Sequence, residues 1–168
     1  MRITLEILER KRDEIQGDES SALQGVASAQ DRLAARLATG DFVEQDLQGA
    51  LYWYCEAVKQ GYTYSKYNLG TMLLKGEGGI APNIPIAKQL IEEAAMAGDI
   101  NACDFLSICF KCGSYGMPVN SSDAAIWRDK SKSADEPVYF TRLRNIPKEL
   151  GVNIVRPNIK MKLPQVDG

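Results

Sequence analysis

The chain has 168 residues, 45% of them hydrophobic and 25% charged, with a net charge of −2, which are the proportions of a folded chain rather than a disordered one. It has no histidine, so it lacks the commonest general base and metal ligand, and Ser-His or Cys-His nucleophile pairs are excluded. Residues 1–135 carry 14 Lys/Arg against 19 Asp/Glu, whereas residues 136–168 carry 6 against 3, an acidic body unsuited to nucleic acid and a basic tail.

The opening stretch MRITLEILERKRDEIQ alternates charged and apolar residues. Its period predicts a helix over residues 4–16, and it lacks the basic start and unbroken apolar run of a signal peptide. No later run approaches the ~20 apolar residues of a membrane span. A cytoplasmic protein with no membrane contact is the expectation. Residues 20–28 are expected to extend the next helix backwards.

From Ala29 onward the chain repeats. Ala29, Ser65 and Ala102 stand at intervals of 36 and 37 residues, as do Leu33, Leu69 and Leu106, and Gly40, Gly76 and Gly113. Ala50, Ala87 and Ala124 follow at 37 and 37, with Trp53, Leu90 and Trp127 three positions on and Gly61, Gly98 and Asp135 closing each unit. Columns in step over such a period are the signature of a solenoid built from supersecondary units. The units run 29–64, 65–101 and 102–135, after an N-terminal cap region of 1–28.

Each unit reads as two helices. In the first, a helix from Ala29 is stopped by Gly40, and Asp46 caps a second that runs to Gln60 before Gly61. In the second, the segment Ser65 to Gly76 forms one helix, the turn holds Pro82 and Pro85, and Ala87, Leu90, Ile91, Ala94 and Ala95 make the apolar stripe of the next. In the third, Ala102 to Cys112 and Asp123 to Ser133 are the helices, with Ser122 or Asp123 as the cap between them. Beyond the units, PVYFTRLRN is expected to form a capping helix. The chain after Ile146, with Pro147, Pro157 and Pro164, reads as an extended or loosely attached tail within the region 136–168. That basic tail is either a docking arm or a solvated end. The expected fold is therefore all-α, an α/α superhelix of about three helix-turn-helix repeats with a capping helix at each end.

The segment GALYWYCEAVKQGYTYSKYNLGTMLLKGEGG resembles the Sel-one-like repeat family, relatives of the tetratricopeptide repeats. Ala50, Trp53, Tyr54, Ala57 and Gly61 match the second half of the family's unit, and Ser65, Leu69, Gly70, Gly76 and Gly78 match its first half. Ala87, Ala94, Ala95 and Gly98 continue the second unit, and Ala102, Leu106, Gly113, Asp123, Ala124 and Trp127 match the third. Departures fall in the third unit, where Ser107 replaces a glycine and Ser131 and Lys132 replace paired alanines. The resemblance implies a curved stack of helix pairs and a protein-binding role without catalysis. Bacterial proteins of this kind act as adaptors, and some are immunity proteins encoded beside secreted toxins.

The remaining candidates for chemistry are weak. Cys109-Phe-Lys-Cys112, with Cys103 nearby and Cys55 upstream, supplies thiolates for zinc or redox sensing, yet the pair falls inside a predicted helix. Packing of small apolar residues accounts for these cysteines. Gly76-Glu-Gly-Gly79 lacks the Lys-Ser/Thr of a phosphate loop, and its glycines are explained by the turn. Adjacent Glu92 and Glu93 point in different directions on one helix. No cofactor or metal is expected, and an enzyme is not.

In a repeat stack the first helix of each unit lines the concave side. Opposite its core positions (Leu33 and Leu37, Leu69 and Leu73, Leu106 and Phe110) lie Arg32, Asn68 and Phe105, then Thr71 and Ile108, then Lys75 and Cys112. Arg32, Asn68, Thr71, Lys75, Phe105 and Ile108 are the candidate partner-binding residues, with Phe105 and Ile108 either anchors for a partner or packing under a C-terminal cap. The Tyr52, Tyr62, Tyr64 and Tyr67 cluster also suits core or interface. The expected partner is another protein: in the most specific form a toxin enzyme, neutralised as by an immunity protein, with electrostatic fit to a basic surface. The alternatives are a regulatory or assembly adaptor holding a peptide in the groove, and a metal- or redox-linked sensor using Cys103, Cys109 and Cys112.

Overall fold

The computed structural model describes residues 4–132 and 146–162. Helix α1 (Leu5–Leu23) precedes three hairpins: α2 (Ala27–Thr39) with α3 (Leu47–Lys59), α4 (Thr63–Lys75) with α5 (Ile84–Met96), and α6 (Ile100–Cys112) with α7 (Ser121–Lys132). A 3-10 turn at Ser114–Gly116 and a short helix α8 (Ile146–Leu150) complete the regular structure, and no strand occurs among the described residues. The expected all-α solenoid of helix-turn-helix repeats is what the chain forms. The proposed capping helix PVYFTRLRN lies outside the described residues.

The hairpins are closed by the same bonds three times over. Gly40, Gly76 and Gly113 take left-handed φ of 77°, 72° and 71°, and their N–H groups donate to Arg36, Met72 and Cys109 carbonyls. Only glycine adopts this cap conformation without strain. Six or seven residues on, Asp46, Asn83 and Asn120 donate their backbone N–H to Leu37, Leu73 and Phe110 at 2.9, 2.9 and 2.8 Å. Their side chains then cap the second helices, accepting from Gly49 at 2.9 Å, Ile86 at 3.1 Å, and Ser122 and Asp123 at 3.0 and 3.2 Å. The cap of α7 is therefore Asn120, not Ser122 or Asp123. Asn120 is the residue in register with Asp46 and Asn83, and it satisfies two orphan N–H groups at once.

Small residues set the helix crossing within each hairpin. A Cβ on Gly70 would lie 2.6 Å from Ile91 Cγ1 and 3.1 Å from the Ala87 carbonyl oxygen. Ser107, the third unit's departure at this position, keeps the close approach: its hydroxyl donates to the Ala124 carbonyl at 2.8 Å. Leu33, Leu69, Leu106, Leu90, Ile91 and the Ala50/Ala87/Ala124 column are buried around these crossings, and Trp53 is buried while Trp127 is half-buried. Successive hairpins pack α3 on α4 and α5 on α6, so one core runs along the stack, as a solenoid requires.

Two expectations about the ends need correction. Residues 20–23 belong to α1, not to the first repeat helix; the break falls at Gly25, with φ of 87°, just before Ala27. Helix α1 buries Leu8, Ile15 and Ala22 against α2 and is pinned there by charge. Arg32 binds Asp18 through two guanidinium nitrogens at 2.9 and 2.7 Å, and the buried Arg36 contacts Glu14, Asp18 and Asp41. At the other end Ile146–Leu150 form the short helix α8 where an extended tail was expected; beyond it the chain is extended, as expected, but it is not loose. Residues 152–162 form a strap running back over the turns inside the hairpins. Glu44 N–H donates to the Lys160 carbonyl at 2.7 Å, Lys162 N–H donates to Phe42 at 3.0 Å, and Val43 pairs with Met161. Pro157 sits against Gly49, where any Cβ would come within 2.7 Å of its ring. Ile154, Ile159 and Met161 are half-buried on the core, which explains why the segment stays attached.

Candidate functional site

The first helices of the three units, α2, α4 and α6, are linked across units by the Ser65–Asp31 hydrogen bond and the Tyr67–Phe105 ring contact, and the positions opposite their buried leucines are taken together as a row. The sequence-derived candidates fall along this row, in different circumstances. Asn68 and Thr71 are half-buried on α4, and the Thr71 hydroxyl donates to the Asn68 carbonyl at 2.8 Å. Phe105 on α6 is half-buried between two rings: Tyr67 edge-on with centroids 6.2 Å apart, and Tyr115 at 5.8 Å. Ile108, one turn further along α6, is 61% exposed, and Tyr115 beside Phe105 is exposed too. Lys75 is exposed at the end of α4, 3.5 Å from Glu77. Arg32 is exposed, but its guanidinium is turned to Asp18 of α1, away from the others.

Two neighbours of that row were passed over in the sequence. Asp31, beside Arg32, reaches across to the second unit and accepts the Ser65 hydroxyl at 2.6 Å and a side-chain hydrogen bond from Asn68. Tyr115, in the loop after α6, has positive φ and extends the aromatic strip of Tyr67 and Phe105. Asp31 shares its type with its third-unit counterpart Asp104 but not with Tyr67 in the second, so the column is broken in the middle unit. The contact of Tyr115 depends on the 3-10 turn, which has no counterpart in the other units.

The cysteines do not converge. Cys55, Cys103 and Cys109 are buried and Cys112 is exposed, all as free thiols. The Cys103 thiol donates to the Ala95 carbonyl at 3.4 Å, a contact between hairpins, and burial raises the pKa of Cys55 to about 12 and pushes Cys103 and Cys109 upward. A raised pKa keeps a thiol protonated and unreactive. Among the described residues no three His, Cys, Asp or Glu side chains are placed to share a metal ion.

A cleft of about 310 Å³ opens between the strap, the start of α3 and the turn of the second hairpin. Gln48, Leu51, Gly78, Gly79, Ile80 and strap residues Val152 to Val155 line it, with no ionisable side chain. No described helix is long and apolar enough to cross a membrane.

Comparison with known proteins accords with this geometry. A family model described as the Sel1 repeat matches residues 27–62, 63–99 and 100–131, one match per hairpin. Among solved structures, the crystal structure of a Sel1 repeat protein from Oxalobacter formigenes superposes with a TM-score of 0.67 at 23% identity, over 73% of this chain and 48% of that one. The chain thus spans about half the length of that relative, and the likeness speaks for the fold alone. No curated protein matches the chain. Three consecutive matches to the repeat, each coinciding with a hairpin of the same internal bonding, show that the chain belongs to the Sel1 repeat family.

Proposed function

We propose that this chain is a non-catalytic binding protein that holds another protein against the row formed by α2, α4 and α6. Sel1 arrays are protein-interaction scaffolds. The observation that carries the reading to this face is the aromatic and aliphatic strip of Tyr67, Phe105 and Ile108 on α4 and α6 with Tyr115 of the following turn, partly open to solvent. Rigid, half-desolvated aromatic groups are what protein interfaces use as anchors. Asn68, Thr71 and Lys75 supply polar contacts beside the strip, and Arg32 lies at its far end.

In its most specific form, the partner is a bacterial toxin enzyme that this chain occludes as an immunity protein in the cytoplasm. The excess of Asp and Glu over Lys and Arg in residues 1–135 supports that form, since an acidic body complements a basic, nucleic-acid-cleaving enzyme. Co-purification with the tagged chain followed by mass spectrometry tests the general reading, and one stoichiometric protein is the expected result. Co-expression with that protein tests the specific one: relief of growth arrest supports immunity, and a partner without toxicity points to an adaptor.

A further inference from the structure

The cleft beside the strap has features that the row of first helices does not share. None of its lining residues lies on α2, α4 or α6. Its volume of about 310 Å³ is in the range of ligand pockets. Leu51, Ile80, Val152, Ile154 and Val155 give it an apolar lining, and Gln48 and Asn153 contribute neutral amides. One wall is bare main chain. Gly78 and Gly79 both have φ of 77°, and a Cβ would come within 2.9 Å of the Leu47 carbonyl oxygen at the first and 3.1 Å of Gln48 Nε2 at the second.

Another wall is an unpaired strand edge. Along residues 152–155, Val152 and Ile154 are half-buried while Asn153 and Val155 are exposed, the alternation of a strand packed on one face. The strap's main-chain bonds to the first hairpin come later, at Lys160 and Lys162. Among the described residues, the main chain of residues 153–159 makes no hydrogen bond. A row of free N–H and C=O groups is a template for a further strand. Pro157 and the cations Arg156, Lys160 and Lys162 guard the later part of the strap against such pairing, but Val-Asn-Ile-Val at the cleft has neither charge nor proline. Residues 146–162 hold four cations against the single anion Glu149. A second copy's strap would add the same positive charge, whereas an acidic segment offsets it. Lys160 faces Glu44 at 3.5 Å, and Glu77, next to Gly78, faces Lys75. Arg156, exposed directly after the cleft-lining Val155, has no ion pair among the described residues.

We propose that this cleft is a second docking site, which takes an extended segment of a partner protein carrying an aliphatic residue and, close by, an aspartate or glutamate. The segment pairs its main chain with residues 153–155, seats the aliphatic side chain against Leu51, Ile80 and Ile154, and brings its carboxylate to Arg156. Main-chain bonds supply affinity, the pocket selects the side chain, and the guanidinium selects the charge. The site is independent of the row, so failure of one reading leaves the other standing.

The test uses the full chain and short fluorescent peptides of threonine and valine with a central leucine and an aspartate two positions to either side of it. Matched peptides replace the leucine by serine, the aspartates by lysine, or the central amide by an ester, which removes one N–H donor. Binding is followed by anisotropy and by NMR shifts of the Asn153 and Val155 amides. The parent peptide is expected to shift both amides, and each replacement to weaken binding about tenfold. Val155→Pro removes a donor that the folded chain leaves unpaired and should weaken the parent peptide by a similar factor. Arg156→Glu should turn the preference from aspartate to lysine, and Ile108→Ala on the row should change nothing. Circular dichroism and slow exchange of the Glu44 amide check that the variants keep the fold and the strap. No binding of the parent peptide, equal binding of the serine or ester peptide, or unchanged behaviour of Val155→Pro or Arg156→Glu overturns the proposal. Weakening by Ile108→Ala overturns it too, by assigning the peptide to the row. So does a wild-type dimer in ultracentrifugation that Val155→Pro dissociates, because a second copy would then hold the edge.

Discussion

Glycine to alanine at two helical positions should move stability in opposite directions. Gly70 lies inside α4 and Gly17 inside α1, and in an exposed helix alanine is favoured over glycine by about 1 kcal/mol. A Cβ at Gly17 meets nothing within 4 Å, so Gly17→Ala should gain about 0.5–1 kcal/mol. At Gly70 the same methyl arrives 2.6 Å from Ile91 Cγ1 and 3.1 Å from the Ala87 carbonyl. Ile91 is fully buried and β-branched, so it has little room to turn, and the carbonyl is fixed in α5. Overpacking of this kind costs about 1–3 kcal/mol, which outweighs the propensity gain. The expected net loss is about 1–2 kcal/mol, or roughly 2–4 °C in Tm per kcal/mol for a chain of this size. Urea and thermal unfolding followed by circular dichroism measure both variants. If Gly70→Ala stabilises the protein as Gly17→Ala does, the close crossing of α4 and α5 is wrong.

Arg36→Gln should lower stability by about 3 kcal/mol in the same unfolding assay, because the side chain is buried among Glu14, Asp18 and Asp41 and its loss leaves buried charge less compensated. Truncation after Arg156 removes the Lys160 and Lys162 backbone bonds, and hydrogen exchange at the Glu44 amide should accelerate while that of the α5 core amides changes less. Asp31→Asn should be neutral or stabilising at pH 7. The folded-state pKa of Asp31 is raised, so its ionisation opposes folding above that value, and the penalty fades as pH falls from the folded pKa toward the unfolded value near 3.9. The gap between variant and wild type in unfolding experiments should therefore close as the solution is acidified through that window. A gap that widens would mean Asp31 is instead stabilised as an anion.

The repeat was legible in the sequence because a solenoid writes each structural demand several times. Gly76 alone is an ambiguous breaker; Gly40, Gly76 and Gly113 in register are a cap with one geometry. The cap column Asp46, Asn83 and Asn120 is equally available at 37-residue spacing, but in the third unit Ser122 and Asp123, residue types as good at the N-cap as asparagine, stand next to it. What occurs once was harder to read. The strap depends on a long-range meeting of Lys160 and Lys162 with Phe42 and Glu44, which no local pattern encodes. The candidate row was legible as positions on α2, α4 and α6, but not as partners. Arg32 is claimed by Asp18 of α1, and Asp31 is drawn into the row by Ser65 of the next unit, contacts that exist only once the units are stacked.

The row of first helices is the proposed face that meets a partner. A photo-crosslinking amino acid placed singly at Ile108, at Tyr115 and, as a control, at the exposed Gln89 of α5 tests this directly. Covalent adducts with one and the same protein are expected from positions 108 and 115 and none from position 89. Adducts from position 89 alone would contradict that placement.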